Sequence, residues 1–261
     1  MRKLQAMNIG VYGDSFVEVF TNETIDDGIV QARNSHWSSL VAKNLNAITE
    51  NFGKSSTSLW YSYYEFLKNY QKHDLILFAV TDIGRYIKKP DWYETPAGAN
   101  GYISSYAQTQ HYKRVATHAL DHQMLTHLEG WFIMSDREYH ASMHELMISH
   151  MQSLHKNIIF YPCFEESFTD ERYAQFCFPK SHCLMQVWKR QLKLMNFSKE
   201  KIQNQDVWYR ENLRVISGHL TPEMNEYVAQ AVLDRITTGN WKFQKLKQVT
   251  LKHPADYYYN I

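Results

Sequence analysis

A serine attacks a carbonyl only when a base can take its proton and donors face the oxygen that becomes negative. In this chain the stretch best placed for such a role is Gly13-Asp14-Ser15, which follows the apolar run Asn8-Ile9-Gly10-Val11-Tyr12. The run reads as a buried strand, so Ser15 stands on the turn where that strand ends. A given Gly-Asp-Ser tripeptide occurs by chance in roughly a few per cent of chains this long, so context must decide whether Ser15 does chemistry.

Metal binding is the other chemistry the composition invites, with 13 histidines in 261 residues. His118 with His122, and His140 with His144, have the i, i+4 spacing that shares a helix face. Neither pair has a glutamate at its second position, so the metalloprotease pattern His-Glu-x-x-His is absent and no metal is expected. Cys163, Cys177 and Cys183 are an odd number without short paired spacing, which argues against a zinc knuckle or disulfide framework and for reduced thiols. The first turn also lacks a glycine-rich phosphate loop, and Asp14 there would repel phosphate. No flavin, nucleotide or other cofactor is expected.

The 28 Lys+Arg against 27 Asp+Glu leave a formal charge of +1, which gives no electrostatic case for nucleic acid or an anionic membrane. The apolar run after Met1-Arg2-Lys3 is too short for a signal peptide, and no stretch approaches the roughly 20 apolar residues of a membrane span. A cytoplasmic protein is the expectation. The 18 Tyr, 13 Phe and 7 Trp could line a carbohydrate or apolar ligand surface, although core packing is their commoner use.

The elements that must position Ser15 follow in order. Met7 to Tyr12 reads as a strand, residues 21 to 35 as a polar loop, and Ser35 to Leu45 as a helix with Ser35 at its N-cap. Ala47 to Phe52 is a second strand that runs into Gly53-Lys54-Ser55-Ser56-Thr57-Ser58, and Leu59 to Tyr70 is an aromatic-rich helix. Asp74 to Val80 is continuously apolar, as in a parallel sheet covered on both faces, and ends at Thr81-Asp82-Ile83-Gly84-Arg85. An irregular to helical insertion, 86–135, precedes a helix from Asp136 to His155. The strand Asn157 to Pro162 then leads into Cys163-Phe164-Glu165-Glu166. Weaker helical segments near Met185 to Leu194 and Lys199 to Asn212 come before a last helix that begins after His219 and ends about Thr237.

This alternation predicts a three-layer α/β/α sandwich with a central parallel sheet of flavodoxin-like type, one domain over 1–238, and a tail over 239–261 docked upon it. Ligands of such sheets bind outside the carboxyl ends of the strands. Ser15, Gly53, Thr81, Asp82 and Glu165 all fall there.

At these blocks the chain resembles the SGNH, or GDSL-like, hydrolase family of esterases and carbohydrate deacetylases. The resemblance implies that Ser15 is the nucleophile, that the N–H groups of Ser15 and Gly53 are oxyanion donors, and that His219 is the base. Two departures stand out. The third block of the family reads Gly-x-Asn-Asp with the Asn amide as donor, and here Ala79-Val80-Thr81-Asp82 puts Thr81 in its place. The fourth reads Asp-x-x-His, and Ile216 occupies the aspartate position three before His219. Glu165, Glu166 and Glu223 are the acids to inspect as substitutes, because a wrongly oriented histidine can lower kcat by about 10⁴. Asp82 suits a loop-bracing or N-cap role, since its charge would repel an oxyanion, and Arg85 could hold an anionic substrate group. The stretches Thr81 to Arg85 and His219 to Asn225 also resemble a divergent branch of the family encoded by tailed bacteriophages, which would imply association with a virion. The expected function is therefore cofactor-free hydrolysis of an acyl ester, for example an acetyl ester, on a carbohydrate or small molecule. The competing expectation is a binding or structural protein that keeps the fold after its site has decayed.

Overall fold

The computed structural model describes residues 6–18, 36–54, 57–84, 126, 137–194 and 220–244. Four strands, β1 (Met7–Tyr12), β2 (Ala47–Asn51), β3 (Leu75–Val80) and β4 (Ile158–Pro162), form one sheet in the order β2-β1-β3-β4. All three pairings are parallel. The helices are α1 (Trp37–Leu45), α2 (Leu59–Asn69), α3 (Arg137–Leu154), α4 (Asp170–Gln175), α5 (Leu184–Leu194) and α6 (Pro222–Thr238).

The strand order dictates the layers. The chain steps from β1 to one side to make β2, then crosses back over β1 to make β3, and continues outward to β4. With right-handed crossovers these opposite steps put α1 on one face and α2 and α3 on the other. The packing agrees, because α1 lies against α6 and α2 against α3. The result is the three-layer α/β/α sandwich expected from the pattern.

Every residue of β3 is buried, which explains its unbroken apolar run, whereas β2 at the edge alternates between half-buried and exposed. Much of the aromatic content is spent inside. Tyr12 stacks on Phe52 with ring centres 4.9 Å apart and meets Phe66 of α2 and Phe78 of β3, each at 5.9 Å. On the α1 side Trp37 packs near Tyr161 at 6.2 Å. The chain beyond α6 turns back onto this core, where Trp241 lies 4.8 Å from Phe178 and 5.3 Å from Tyr161.

Some boundaries differ from expectation. The N-cap of α1 is His36, whose ring accepts the Ser38 N–H, and Ser35 lies outside the described residues. An imidazole nitrogen with a free lone pair can take the same first-turn donor that a serine hydroxyl would. The segment after β4 holds the short helix α4 where the sequence suggested only a loop. The 86–135 insertion except residue 126, the helical segment Lys199 to Asn212, and 245–261 of the tail lie outside the described residues. Cys163 and Cys183 are buried, Cys177 is exposed, and all three are free thiols. No helix among the described residues is long and apolar enough to cross a membrane.

Two buried histidines make the fold sensitive to acid. Burial lowers the pKa of His36 to about 4 and that of His144 to about 3, the nearby His140 adding to the latter. Both are neutral in the folded protein, while the unfolded chain takes up protons near 6.5, so stability is full above that pH and is lost as pH falls toward 4. For His36 the linkage is worth about 3 kcal/mol. The transition temperature should fall steadily below pH 6.5. His36→Asn, which keeps a capping acceptor but does not titrate, should show a shallower fall in the same melting series; an unchanged slope would contradict this account.

Candidate active site

The turn that carries Ser15 is held at nearly every backbone carbonyl. Asp14 O accepts from the N–H groups of Val17 at 2.9 Å and Glu18 at 3.1 Å, which closes one helical turn directly after β1. Gly13 O accepts from Lys54 N–H at 3.1 Å. Phe16 O takes two ring donors from the start of α1, Trp37 Nε1 at 3.0 Å and His36 Nε2 at 3.2 Å. Val17 O accepts from the Asn51 side-chain amide at 2.8 Å. Because Ser38 N–H can only donate and Phe16 O can only accept, His36 carries its hydrogen on Nε2 and its lone pair on Nδ1.

Sterics add to these bonds. Gly13 has φ +153°, and a Cβ there would sit 2.5 Å from Val17 Cγ2 and 2.8 Å from Ala79 Cβ. Only glycine lets the strand end turn so tightly against β3. Gly53 is held just as closely from the β2 side, since a Cβ on it would lie 2.7 Å from the Val17 carbonyl carbon.

The Asp14 side chain ties the turn to its neighbours. It is 1 % exposed. Its Oδ1 accepts from Phe16 N–H at 3.0 Å and from Cys163 Sγ at 3.4 Å, and its Oδ2 accepts from the Thr81 hydroxyl at 2.8 Å. Thr81 directly follows β3 and Cys163 directly follows β4. One carboxylate therefore fastens three strand ends at the carboxyl edge, beside the point where the strand order reverses between β1 and β3.

Within Gly13 to Val17, Ser15 is the one residue that is not buried. It stands at the first position of the turn, where a backbone N–H has no partner within the turn itself. Ser15 follows the carboxyl end of β1, the edge of the sheet at which ligands of this architecture bind.

The two other expected oxyanion donors are engaged within the fold. Gly53 N–H donates to Asn51 Oδ1 at 2.8 Å, and the Thr81 hydroxyl donates to Asp14. Thr81 is also only 2 % exposed. In this arrangement Gly53 is explained by close packing and Thr81 by bracing Asp14. Asp82 braces its own loop by accepting Gly84 N–H at 2.7 Å. Glu165 and Glu166 are exposed, with the Glu165 carboxylate hydrogen-bonded by the Gln186 amide. Glu223 lies half-buried in the first turn of α6. His219, Ile216 and Arg85 lie outside the described residues. Among the described residues no group of three or more His, Cys, Asp or Glu could hold a metal ion.

Asn51, His36, Trp37 and Cys163 hold the site without having stood out in the sequence. Asn51 was the most accessible of them, because an Asn two residues before a glycine at a strand end readily makes this side-chain turn. The other three touch the turn only through tertiary packing.

If Asp14 is a structural tie, Asp14→Ala should cost about 2–4 kcal/mol, because it strands the Thr81 hydroxyl and the Phe16 N–H in the interior. Thr81→Val should cost about 1–2 kcal/mol by removing one bond to a charged acceptor. Urea denaturation of both variants checks the order; a Thr81→Val protein no less stable than wild type would contradict the tie. No protein-family model matches the chain and no curated protein matches it.

Proposed function

We propose that the protein is a serine ester hydrolase of SGNH type acting on an acyl, for example acetyl, ester of a carbohydrate or small molecule. The observation that supports this reading best is the setting of Ser15: a partly exposed serine on an otherwise buried and heavily braced turn, at the switch point of a parallel sheet. A turn that merely joins a strand to a loop does not require its carbonyls to be held by α1, β2 and the loop after β2 together.

In the proposed reaction the Ser15 hydroxyl attacks the acyl carbon while His219 takes its proton. The carbonyl oxygen becomes negative and is met by Ser15 N–H. His219 then returns the proton to the departing alcohol, leaving an acyl-serine that water, activated by the same histidine, hydrolyses. No cofactor takes part. Asp14 and Asp82 support the geometry, Arg85 is a candidate to hold an anionic group of the substrate, and Gly53 N–H and Thr81 could join the oxyanion site only by leaving Asn51 and Asp14. Glu165 and Glu223 remain the acids proposed to assist His219.

A second reading is favoured by those engaged donors and by Ile216 at the family's aspartate position: a binding or structural protein, for example a virus-encoded component, that retains the fold without turnover. A fluorophosphonate probe and p-nitrophenyl acetate separate the two. Wild type should be labelled and should release nitrophenol, Ser15→Ala should do neither, and His219→Ala should lose about 10³-fold or more in rate. Absence of labelling and of Ser15-dependent release in folded wild-type protein would sink the esterase reading in favour of the second.

A further inference from the structure

The helix α2 starts at the carboxyl edge of the sheet with its capping serine unused. Ser58 is the N-cap residue and has the extended backbone, φ −93° and ψ 170°, that normally brings a serine hydroxyl onto a first-turn N–H, yet its side chain caps nothing. It is 2 % exposed, and its Oγ has no hydrogen-bond partner among the described residues. At α1 and α6 the corresponding side chains, His36 and Thr221, do accept a first-turn N–H. A buried hydroxyl without a bond costs free energy that a partner would recover.

The surroundings of Ser58 define that partner. The first N–H groups of a helix have no acceptor within it and form the positive end of its dipole, and α2 has no acidic residue in its first turn. Lys54 adds a full positive charge. Its backbone is pinned on both sides, its N–H donating to Gly13 O at 3.1 Å and its carbonyl accepting the Thr57 hydroxyl at 2.7 Å. From that anchor its ammonium lies over the ring of Tyr61, a first-turn residue of α2, 5.5 Å from the ring centre. Lys54 and Trp60 at this helix end are exposed to solvent. Of the carboxylates that act on the Tyr61 hydroxyl, Glu65 and Glu18, the first is paired by Lys68 at 2.8 Å. The Asp14 carboxylate is buried and taken by three donors.

We infer that the N-terminus of α2, with the Ser58 hydroxyl and the Lys54 ammonium, binds an oxyanion: a phosphate, sulfate or carboxylate group of a small-molecule ligand. The bound group accepts from the Ser58 hydroxyl and from the N–H groups of Trp60 and Tyr61, and Lys54 balances its charge. Because Lys54 N–H is bonded to Gly13 O, the site adjoins the turn that carries Ser15. It goes beyond ester hydrolysis and does not require Ser15 to be a nucleophile.

The test is isothermal titration calorimetry of the full chain with inorganic phosphate, sulfate and acetate, at an ionic strength held constant with sodium chloride. At least one of the three should bind saturably at a single site; preference for the tetrahedral anions marks a phosphate or sulfate ligand, and preference for acetate a carboxylate. Ser58→Ala and Lys54→Met should each weaken that binding roughly tenfold. Lys43→Met, which removes the same charge from α1, should bind as wild type does. Without anion, Ser58→Ala should melt no lower than wild type, because no cap bond is lost. The inference is overturned if none of the three anions binds saturably, if folded Ser58→Ala binds undiminished or melts lower without anion, or if Lys43→Met loses as much as Lys54→Met. None of these outcomes bears on the esterase reading, which the fluorophosphonate probe tests separately.

Discussion

The buried carboxylate of Asp14 is the contact on which the carboxyl edge of the sheet depends. Parallel strands leave their last residues without a common partner, and loops leaving them can splay. Asp14 prevents this at β1, β3 and β4 together by accepting from Phe16 N–H, the Thr81 hydroxyl and Cys163 Sγ. Hydrogen bonds to an ionised acceptor are roughly twice as strong as neutral ones, and an unpaired buried carboxylate is too costly to persist. The same three bonds that make Asp14 tolerable in the interior therefore hold the strand ends in register.

Around that tie the Ser15 turn is gripped from both sides of β1. From β2 come the Asn51 amide on Val17 O and the close approach of Gly53; from α1 come the His36 and Trp37 rings on Phe16 O. The α1 contacts require a neutral imidazole with one defined tautomer, which burial of His36 secures at neutral pH. Trp37 in turn carries the N-terminus of α6 through Asn225. Rigidity at Ser15 is thus borrowed from the whole α1–α6 layer and not from the turn alone.

This arrangement also sets limits on the chemistry. The Thr81 hydroxyl and the Gly53 N–H, which a family resemblance casts as donors to substrate, are donors to Asp14 and Asn51. Each keeps a neighbouring group in place that Ser15 depends on. On the proposed hydrolase reading, charge stabilisation would fall chiefly to Ser15 N–H unless substrate draws the others away, and turnover would be slow by comparison with an enzyme that has three donors poised.

The alternation of short apolar runs with helical spacing was sufficient to determine the α/β class, the parallel sheet and the place of Ser15 at a strand end, because burial on one face or two imposes those periods on any sequence that adopts the fold. The strong run at β3 and the Thr221-Pro222 start of α6 were legible for the same local reason. What Gly53 and Thr81 do was not, since their type and spacing suit either a substrate or a neighbour, and only three-dimensional placement beside Asn51 and Asp14 decides between them. The bonds of His36, Trp37 and Asn225 join residues 20 to 188 positions apart. No local pattern encodes such pairings; they exist because packing brings α1 against α6 beside the turn that follows β1.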